Sequence, residues 1–525
     1  MSSDLVNLTI DGYPISVPKG TTVIEAAKQA GVLVPHYCYH PSLPSPAVCR
    51  MCLIEVEKAP KLLPACVTTV AEGQVVHTDS ERARKARTGV LELLLINHPL
   101  DCPICDQSGE CELQDYVFQE GQPATRYSEY PKRFNPVEDF GPDVLYVPNR
   151  CILCTRCVRF MGDVAGDDVL NVSERGDRAY IGIDPSQPLD HAWAGNVVDL
   201  CPVGSLLSKD FLHKARVWDL DHTASVCTGC SQGCNTTIDT RDNIVVRIRP
   251  RANLEVNRHF ICDTGRMHYR WMNRGDRIDA PLVQDGSRTM ATDWDTALGK
   301  LAGLVGKAAG STVILASAGA STESLGLVRR LVSGAATAAV RIPEGAEAPL
   351  AGIPNLALRK ERAPNGDGAR MLGYSTDWKA ALKAAGAATL VIILDLDLTE
   401  VEQASIGGAK AVVVFGTLES QALDHAALVL PVTNTAEEEG SFVNRDLRVQ
   451  RYHQARSAPG MARPAWWIAA EAIALAGTGA RAPGSADAAF ALLAETVAGL
   501  GGLSYSSIGL TGAKAEQGTT AGATQ

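Results

Sequence analysis

Alternating apolar and polar residues at the start of the chain predict a β-hairpin. Apolar side chains occupy every second position from Val6 to Ile10, the turn dipeptide Asp11-Gly12 follows, and the alternation resumes at Ile15. Side chains that alternate in this way point to one face of a strand. The hairpin is therefore expected to cover a small core.

The next stretch predicts a helix that ends at Gly31. Thr22 or the preceding threonine can cap it, and Glu25 stands three residues after Thr22, which is the spacing of a capping box. Residues 53–56 then predict a further strand. Two strands, a helix and a cysteine-bearing loop follow the element order of a β-grasp ferredoxin-type domain, which we place at residues 1–79.

A second helical pattern covers residues 80–97, where Val90, Leu91, Leu94 and Leu95 share one face and His98 follows the helix end. Residues 121–148 are rich in proline, tyrosine and charge and predict an extended linker.

From about residue 277 the pattern changes to strand followed by helix. The apolar runs Thr312–Ala316, Thr389–Leu394 and Ala411–Phe415 predict buried parallel strands, and Ser324–Val332 predicts a helix. This pattern indicates an α/β domain. Residues 511–525 are mostly glycine, alanine and threonine and are expected to be disordered.

Composition restricts the class of protein. The 525 residues exceed the roughly 250–300 of a single core, so several domains are expected. A formal charge of −10 weighs against nucleic acid as a partner, and no long basic run provides a local exception. No apolar run approaches the roughly 20 residues that span a bilayer, so membrane attachment is expected only through a partner. The first residues do not resemble a secretory signal, which predicts a reducing compartment.

All fifteen cysteines lie between Cys38 and Cys262, and in a reducing compartment such density indicates metal ligands. They form four sets: Cys38, Cys49, Cys52 and Cys66; Cys102, Cys105 and Cys111; Cys151, Cys154, Cys157 and Cys201; and Cys227, Cys230, Cys234 and Cys262. The second set lacks a fourth thiol. His98, four residues before Cys102, completes it, because an imidazole can replace a thiolate as ligand.

The spacings predict iron-sulfur clusters. The first set has the layout of a plant-type 2Fe-2S site with a longer first gap, and the Cys151–Cys157 triple begins a ferredoxin-type 4Fe-4S run that Cys201 closes. The other two sets predict 4Fe-4S clusters as well. A structural zinc site is the alternative for the first and fourth sets, because zinc also uses Cys-x2-Cys pairs. Arg50, Asp101 and Arg156 lie beside these cysteines, either to tune their potentials or as solvated loop charges.

This series of sets resembles the large iron-sulfur subunit, called the G subunit, of bacterial NADH:quinone oxidoreductase, respiratory complex I. Residues 227–266 resemble the cluster domain of molybdopterin oxidoreductases, and residues 427–431, 439–442 and 444–450 resemble their late pterin-side motif. Asp446 and Leu447 replace the usual Glu-Gly there, and no cysteine remains to ligate molybdenum. We therefore expect no molybdopterin.

The resemblance implies a multidomain α+β and α/β protein. Its expected parts are a 2Fe-2S β-grasp domain at 1–79, a one-His/three-Cys 4Fe-4S domain at 80–120, a linker with a ferredoxin-like 4Fe-4S domain at 121–219, a 4Fe-4S domain of the molybdopterin-oxidoreductase type at 220–276, a shortened α/β domain without cofactor at 277–510, and the tail. It also implies a relay without a substrate site of its own, at the cytoplasmic side of the bacterial inner membrane. The expected partners are the flavin/NADH-binding subunit, other peripheral-arm subunits and quinone-side iron-sulfur subunits.

The resemblance further implies an electron route from the Cys38 set to the Cys151 set and then to the His98 set, with the Cys227 set off this route. Other classes of protein contain similar cysteine sets. A formate dehydrogenase catalytic subunit would need a full molybdopterin domain, an iron-only hydrogenase would need further cysteines after Cys262, and a zinc-rich assembly protein would lack labile sulfide. The alternative that stays open is an iron-sulfur subunit of an NAD-linked formate dehydrogenase or hydrogenase complex.

Overall fold

The computed structural model of the chain describes residues 4–184, 186–286, 288–308, 311–332, 337–477 and 481–515. The chain divides into two compact units. The first contains residues 1–220 together with Leu350–Pro354, and the second contains Asp221–Pro349 and the chain from Asn355 onward.

A mixed five-stranded sheet forms the start of the first unit. Its order is Tyr13–Pro18, Leu5–Ile10, Gln74–His77, Leu53–Val56 and Leu63–Pro64. The predicted hairpin is confirmed, since Leu5–Ile10 pairs antiparallel with Tyr13–Pro18. Val6, Leu8 and Ile10 are buried beneath the helix Val23–Gln29, as their alternation predicts.

The predicted capping box at this helix is wrong. Thr22 is the residue before the first helical turn, but its side chain makes no capping hydrogen bond, and its buried hydroxyl has no partner among the described residues. The Glu25 carboxylate instead accepts a hydrogen bond from the Tyr39 hydroxyl. A tertiary contact has thus replaced the local one.

Short elements make up the rest of the first unit. The α-helices are Glu81–Leu95, Glu112–Glu120, Arg156–Arg159 and Asn196–Leu200, with a π-helical turn at Phe160–Ala165 and 3-10 turns at Cys102–Ile104, Pro148–Arg150, Gly176–Arg178 and Val217–Asp219. The strands Leu206–Ser208, Val144–Tyr146 and Glu138–Asp139 form one sheet, and Leu170–Ser173 pairs with Tyr180–Ile183. The predicted linker therefore ends in two strands.

The segment Leu350–Pro354 belongs to the first unit although its neighbours in sequence belong to the second. The Gly352 N–H donates to the Val164 carbonyl at 2.7 Å. A Cβ at Gly352 would approach the Asp163 carbonyl oxygen to 2.7 Å, so only glycine fits here without a shift.

A seven-stranded sheet dominates the second unit. Its order is Arg288–Ala291, Leu282–Asp285, Leu428–Pro431, Val412–Gly416, Leu390–Leu394, Thr312–Ser317 and Thr337–Arg341. The last five are parallel. The three predicted strands are confirmed and are buried, because both faces of a parallel sheet are covered.

The helices of the second unit are Asp263–Met267, Trp294–Lys307, Thr322–Leu331, Gly366–Met371, Trp378–Ala385, Glu400–Ile406, Ala465–Leu475, Ala486–Ala494 and Tyr505–Ile508, with 3-10 turns at Arg270–Asn273 and Glu419–Gln421. Smaller sheets contain Asp221–Val226, Asn235–Arg241 and Ile244–Pro250; Ala348–Pro349 and Ala357–Leu358; and Gly440–Val443, Arg448–Tyr452 and Ala513–Lys514.

The predicted disordered tail begins too early. Ala513–Lys514 pairs antiparallel with Arg448–Val449, and the Ala515 N–H donates to the Leu447 carbonyl at 2.8 Å. The open edge of the strand Arg448–Tyr452 supplies these hydrogen bonds. The glycine-rich sequence of the tail does not by itself predict them. The remainder of the predicted tail, residues 516–525, lies outside the described residues.

Candidate metal centres

The four cysteines of the first set meet beside the five-stranded sheet. The Cys38 thiol contacts the Cys49 thiol and raises the pKa of Cys49, and it also contacts Cys66. Cys66 in turn donates to Cys52 and lowers the pKa of the Cys52 thiol. Cys38, Cys52 and Cys66 are buried and Cys49 is half-buried.

The loops that carry the cysteines contain left-handed residues other than glycine. Arg50 has φ 58°, Leu153 has φ 52° and Thr155 has φ 59°. Such turns direct successive backbone N–H groups to one side and form the concave anion sites found around iron-sulfur clusters. The Leu153 N–H lies 3.4 Å from Cys151 Sγ and donates to it. This donor set fits a cluster of thiolate-bound iron.

Cys151, Cys154, Cys157 and Cys201 line one small cavity with mostly apolar walls. Burial raises the pKa of Cys201 to about 11, and it raises the pKa of Cys157 well above its usual value. Without metal these thiols hold their protons at neutral pH, so metal binding has to displace them.

The Cys227 set is buried in the second unit and lies against glycine backbone. The Gly229 N–H donates to Cys227 Sγ at 3.4 Å, and the Gly265 N–H donates to Cys262 Sγ at 3.3 Å. A Cβ at Gly265 would stand 2.9 Å from Cys227 Sγ. Glycine is required for this close approach, and N–H groups directed at sulfur make reduction of a bound cluster easier.

The His98 set is the most open of the four. Cys102 is exposed, Cys111 is half-buried and Cys105 is buried, and the three lie close enough for their charges to interact. Burial, followed by the charge of Arg150, lowers the pKa of His98 to about 4. The imidazole is therefore neutral at physiological pH, which is the form that binds metal. Ligation by His98 stays a prediction.

No three or more His, Cys, Asp or Glu side chains within the described ranges are arranged to hold a single metal ion.

Three arginines around the Cys151–Cys157 triple connect it to the neighbouring sets. Arg159 Nη2 donates to the carbonyls of Cys38 at 2.5 Å and Cys154 at 3.2 Å. Arg156 pairs with the carboxylate of Glu112, the residue after Cys111, at 3.0 and 3.3 Å. Arg150 pairs with Asp101, the residue before Cys102, at 3.0 Å.

The same sets share a hydrophobic cluster. It includes Cys38, Cys49, Cys111, Cys154 and Cys201, packed around aromatic and aliphatic side chains. Tyr37 and Tyr116 meet edge to face inside it, with ring centroids 5.4 Å apart. Gly204 also lies against the second set, since a Cβ there would stand 2.1 Å from Cys105 Sγ. Cysteines far apart in sequence are therefore neighbours in space.

The three charged residues that the sequence analysis singled out lie in different environments. Arg156 is buried, Asp101 is ion-paired, and Arg50 is exposed, as expected of a solvated loop charge. The sequence analysis missed Arg150 and Arg159. Their only signal is position, because Arg150 directly precedes Cys151 and Arg159 follows Cys157 by two residues.

Five protein families match consecutive parts of the chain. They are the 2Fe-2S iron-sulfur cluster binding domain at residues 3–81, the NADH-ubiquinone oxidoreductase-G iron-sulfur binding region at 87–126, the ferredoxin-like domain of NADH-quinone oxidoreductase subunit 3 at 141–207, the molybdopterin oxidoreductase Fe4S4 domain at 220–274 and molybdopterin oxidoreductase at 296–474. Their order is the predicted one.

Among curated proteins, the G subunit of NADH-quinone oxidoreductase from Rickettsia bellii is 43% identical over 298 residues, which are 57% of this chain and 44% of that protein. This chain is a homologue of that G subunit. The mitochondrial 78 kDa subunit of NADH-ubiquinone oxidoreductase from Candida albicans is 42% identical over 332 residues, 62% of this chain and 46% of that protein. Iron-sulfur protein 1 of mitochondrial NADH dehydrogenase from Solanum tuberosum is 44% identical over 297 residues, 56% of this chain and 40% of that protein. The chain thus spans less than half the length of these three relatives.

A solved structure of an NAD+-reducing [NiFe]-hydrogenase in the H2-reduced state is 30% identical and covers 40% of this chain and 91% of the matched chain, with a TM-score of 0.37. None of the described helices of this G-subunit homologue is long and apolar enough to cross a membrane.

Proposed function

We propose that this chain is the electron-transfer subunit of a proton-translocating NADH:quinone oxidoreductase, and that it relays electrons one at a time from the flavin subunit toward quinone. The observation that carries the proposal is the connection of three cysteine sets through the Cys151–Cys157 loop. Homology to the G subunit supports it.

We assign one 2Fe-2S cluster to the Cys38 set and a 4Fe-4S cluster to each of the other three, with His98 as the non-cysteine ligand. When bound, such clusters accept and release single electrons. The protein contributes the spacing, ligand charge and burial of each site. No acid, base or nucleophile of the chain takes part.

The proposed route runs from the Cys38 set through the Cys151 set to the His98 set. Arg159 supports the first step, because one of its nitrogens contacts the backbone of a cysteine from each set. Arg150 and Arg156 support the second, because their ion pairs connect the loops of those two sets. The Cys227 set belongs to the second unit and is assigned no place on this route.

Exposed apolar side chains mark the two ends of the route. Val48, 53% exposed, precedes Cys49, and the exposed Cys102 lies between Leu100 at 94% and Ile104 at 64%. Apolar side chains beside redox centres are typical of surfaces that a partner covers. We assign the Cys49 side to the flavin subunit and the Cys102 side to a quinone-side iron-sulfur subunit, in a peripheral assembly at the cytoplasmic face of the bacterial inner membrane.

The α/β domain is proposed to be a scaffold without molybdopterin. It has no cysteine to ligate molybdenum, and Asp446 and Leu447 depart from the pterin-side motif that it otherwise resembles. The alternative is an iron-sulfur subunit of an NAD-linked formate dehydrogenase or hydrogenase complex.

Metal analysis tests the cofactor assignment. Purified chain should contain about 14 iron atoms with matching acid-labile sulfide, the sum of one 2Fe-2S and three 4Fe-4S clusters. Zinc without labile sulfide would refute it. EPR of the reduced protein should resolve the 2Fe-2S signal from those of the 4Fe-4S clusters.

Turnover tests the relay. In bacterial membranes whose own G subunit is replaced by this chain, Cys154→Ala should abolish NADH:quinone activity, because it removes a proposed ligand of the Cys151 set. Ser186→Ala, a change at an exposed serine whose hydroxyl donates to the Asp184 carboxylate, serves as the matched control. Activity that depends on formate or H2 instead of NADH would favour the alternative.

A further inference from the structure

A cavity of about 180 Å³ lies in the second unit, and one of its lining residues, Thr228, directly follows Cys227. Its walls come from the carboxyl ends of four parallel strands and the loops after them. Ser317 ends one strand and Ser321 follows it, Pro343 follows the next strand, Asp395 the third, and Asn434 and Glu438 the last. Thr228, His268, Trp271 and Arg362 close it.

Sheet topology makes this place a natural crevice. The chain runs from Thr312–Ser317 outward to the edge strand Thr337–Arg341, and then returns to Leu390–Leu394 on the other side of Thr312–Ser317. Connections that leave a pair of strands in opposite directions open a gap at the carboxyl ends of those strands. Open α/β sheets bind their ligands there.

Two of the lining residues carry buried N–H groups that find no hydrogen-bond partner in the part of the chain that the structure describes, Arg362 at Nη1 and Trp271 at Nε1. The other terminal nitrogen of Arg362 donates to the Ala346 carbonyl, and within the described residues no carboxylate pairs with this guanidinium. Unsatisfied buried donors destabilise a fold, and charged ones do so more strongly. A ligand with acceptor oxygens would satisfy both.

The two carboxyl groups of the cavity wall do not oppose an anion strongly. Thr433 and Tyr452 donate to Glu438, and Thr417 and Gln421 donate to Asp395. Burial raises the pKa of Glu438 to about 8 and also raises the pKa of Asp395.

His268 adds no positive charge, since burial lowers its pKa. Arg362 is therefore the cation that a ligand in this cavity would meet.

We propose that this cavity binds a small oxoanion of the phosphate type, held by the Arg362 guanidinium and the Trp271 indole N–H. A guanidinium offers planar paired donors that match two oxygens of such an anion. Hydroxyl groups of Thr228 and Thr435 lie in the same wall and can donate to the remaining oxygens. This proposal does not rest on the electron relay proposed above.

Equilibrium dialysis with radiolabelled inorganic phosphate tests the proposal on the full chain with its clusters intact. One phosphate per chain is expected to bind saturably and to be displaced by sulfate but not by chloride at equal concentration. Arg362→Gln should weaken binding at least about tenfold, because it removes a charge-assisted contact. Trp271→Phe should weaken it several-fold and leave the charge in place.

Arg370→Gln is the matched control, because Arg370 lies on the helix that follows, is exposed and is ion-paired with Glu361 and Asp367 outside the cavity wall. Its binding should equal that of the unchanged protein. Absence of saturable binding at millimolar phosphate, or equal binding by Arg362→Gln and the control, would overturn the proposal. If Arg362→Gln loses iron or fails to fold, the Trp271→Phe result decides.

Discussion

Replacing Arg156 with glutamine should lower the reduction potentials of the clusters bound by the Cys151 set and the His98 set. Arg156 lies between Cys154 and Cys157, its side chain is 5% exposed, and its ion pair with Glu112 joins the two loops. A reduced cluster carries one more negative charge than an oxidised one. Removing a buried positive charge nearby therefore disfavours reduction.

The size of this effect follows from Coulomb's law. A unit charge roughly 8 Å from a cluster, at an effective dielectric constant of about 20, contributes about 2 kcal/mol. For a one-electron couple that corresponds to a fall of about 90 mV, since a factor of ten is about 59 mV. The unpaired Glu112 carboxylate adds to the fall at the His98 set, because it directly follows Cys111.

EPR-monitored redox titration of the purified chain measures these potentials cluster by cluster. Arg156→Lys keeps the charge and should restore most of the potential. The double change Arg156→Gln with Glu112→Gln removes a neutral pair and should shift the potentials less than Arg156→Gln alone. Arg82→Gln breaks an ion pair between an arginine 53% exposed at its side chain and Glu55, outside the loops of the Cys151 and His98 sets, and should leave the potentials of those two clusters unchanged.

Unchanged potentials in a folded, iron-replete Arg156→Gln protein would refute the charge argument. Equal shifts in the glutamine and lysine variants would do the same, because they would trace the effect to packing and not to charge.

Three further predictions concern other parts of the chain. His98→Cys should keep its cluster but lower the potential of that cluster, because thiolate adds a negative charge; EPR titration measures it, and an unchanged potential counts against ligation by His98. Cys227→Ala should lose one cluster yet leave NADH:quinone turnover per assembled complex nearly intact, and lost turnover would contradict the off-route assignment. Burial raises the pKa of Glu438 from 4.5 to about 8, so the neutral carboxyl stabilises the fold. That contribution is lost as pH rises through about 8. Glu438→Gln should therefore flatten the dependence of the melting temperature on pH between about 5 and 8.

Patterns with strong local causes were predictable. The hairpin at Val6 to Ile10 follows from alternation, and the strand Leu390–Leu394 follows from a continuous apolar run that fits a sheet covered on both faces. Cysteines a few residues apart, such as Cys151, Cys154 and Cys157, share a loop, so their grouping follows from spacing, whereas ligation by the complete sets stays a prediction.

Features that depend on distant partners were not predictable. Glu25 has the spacing of a capping residue, but Tyr39 engages its carboxylate. Ala513–Lys514 becomes a strand because Arg448–Val449 offers an open edge. The arginine connections between sets join residues more than forty positions apart, such as Arg156 and Glu112, and nothing in the spacing of cysteines marks them.

The packing of Leu350–Pro354 with the first unit affects the order in which the protein can mature. Synthesis delivers residues 1–220 first, but the Gly352 N–H that binds the Val164 carbonyl emerges only after residues 221–349. Until then the π-helical turn Phe160–Ala165, which follows the Cys151–Cys157 triple in sequence, lacks one of its contacts. A nascent chain halted at Leu220 would hold every cysteine of the first three sets without the segment that completes their unit.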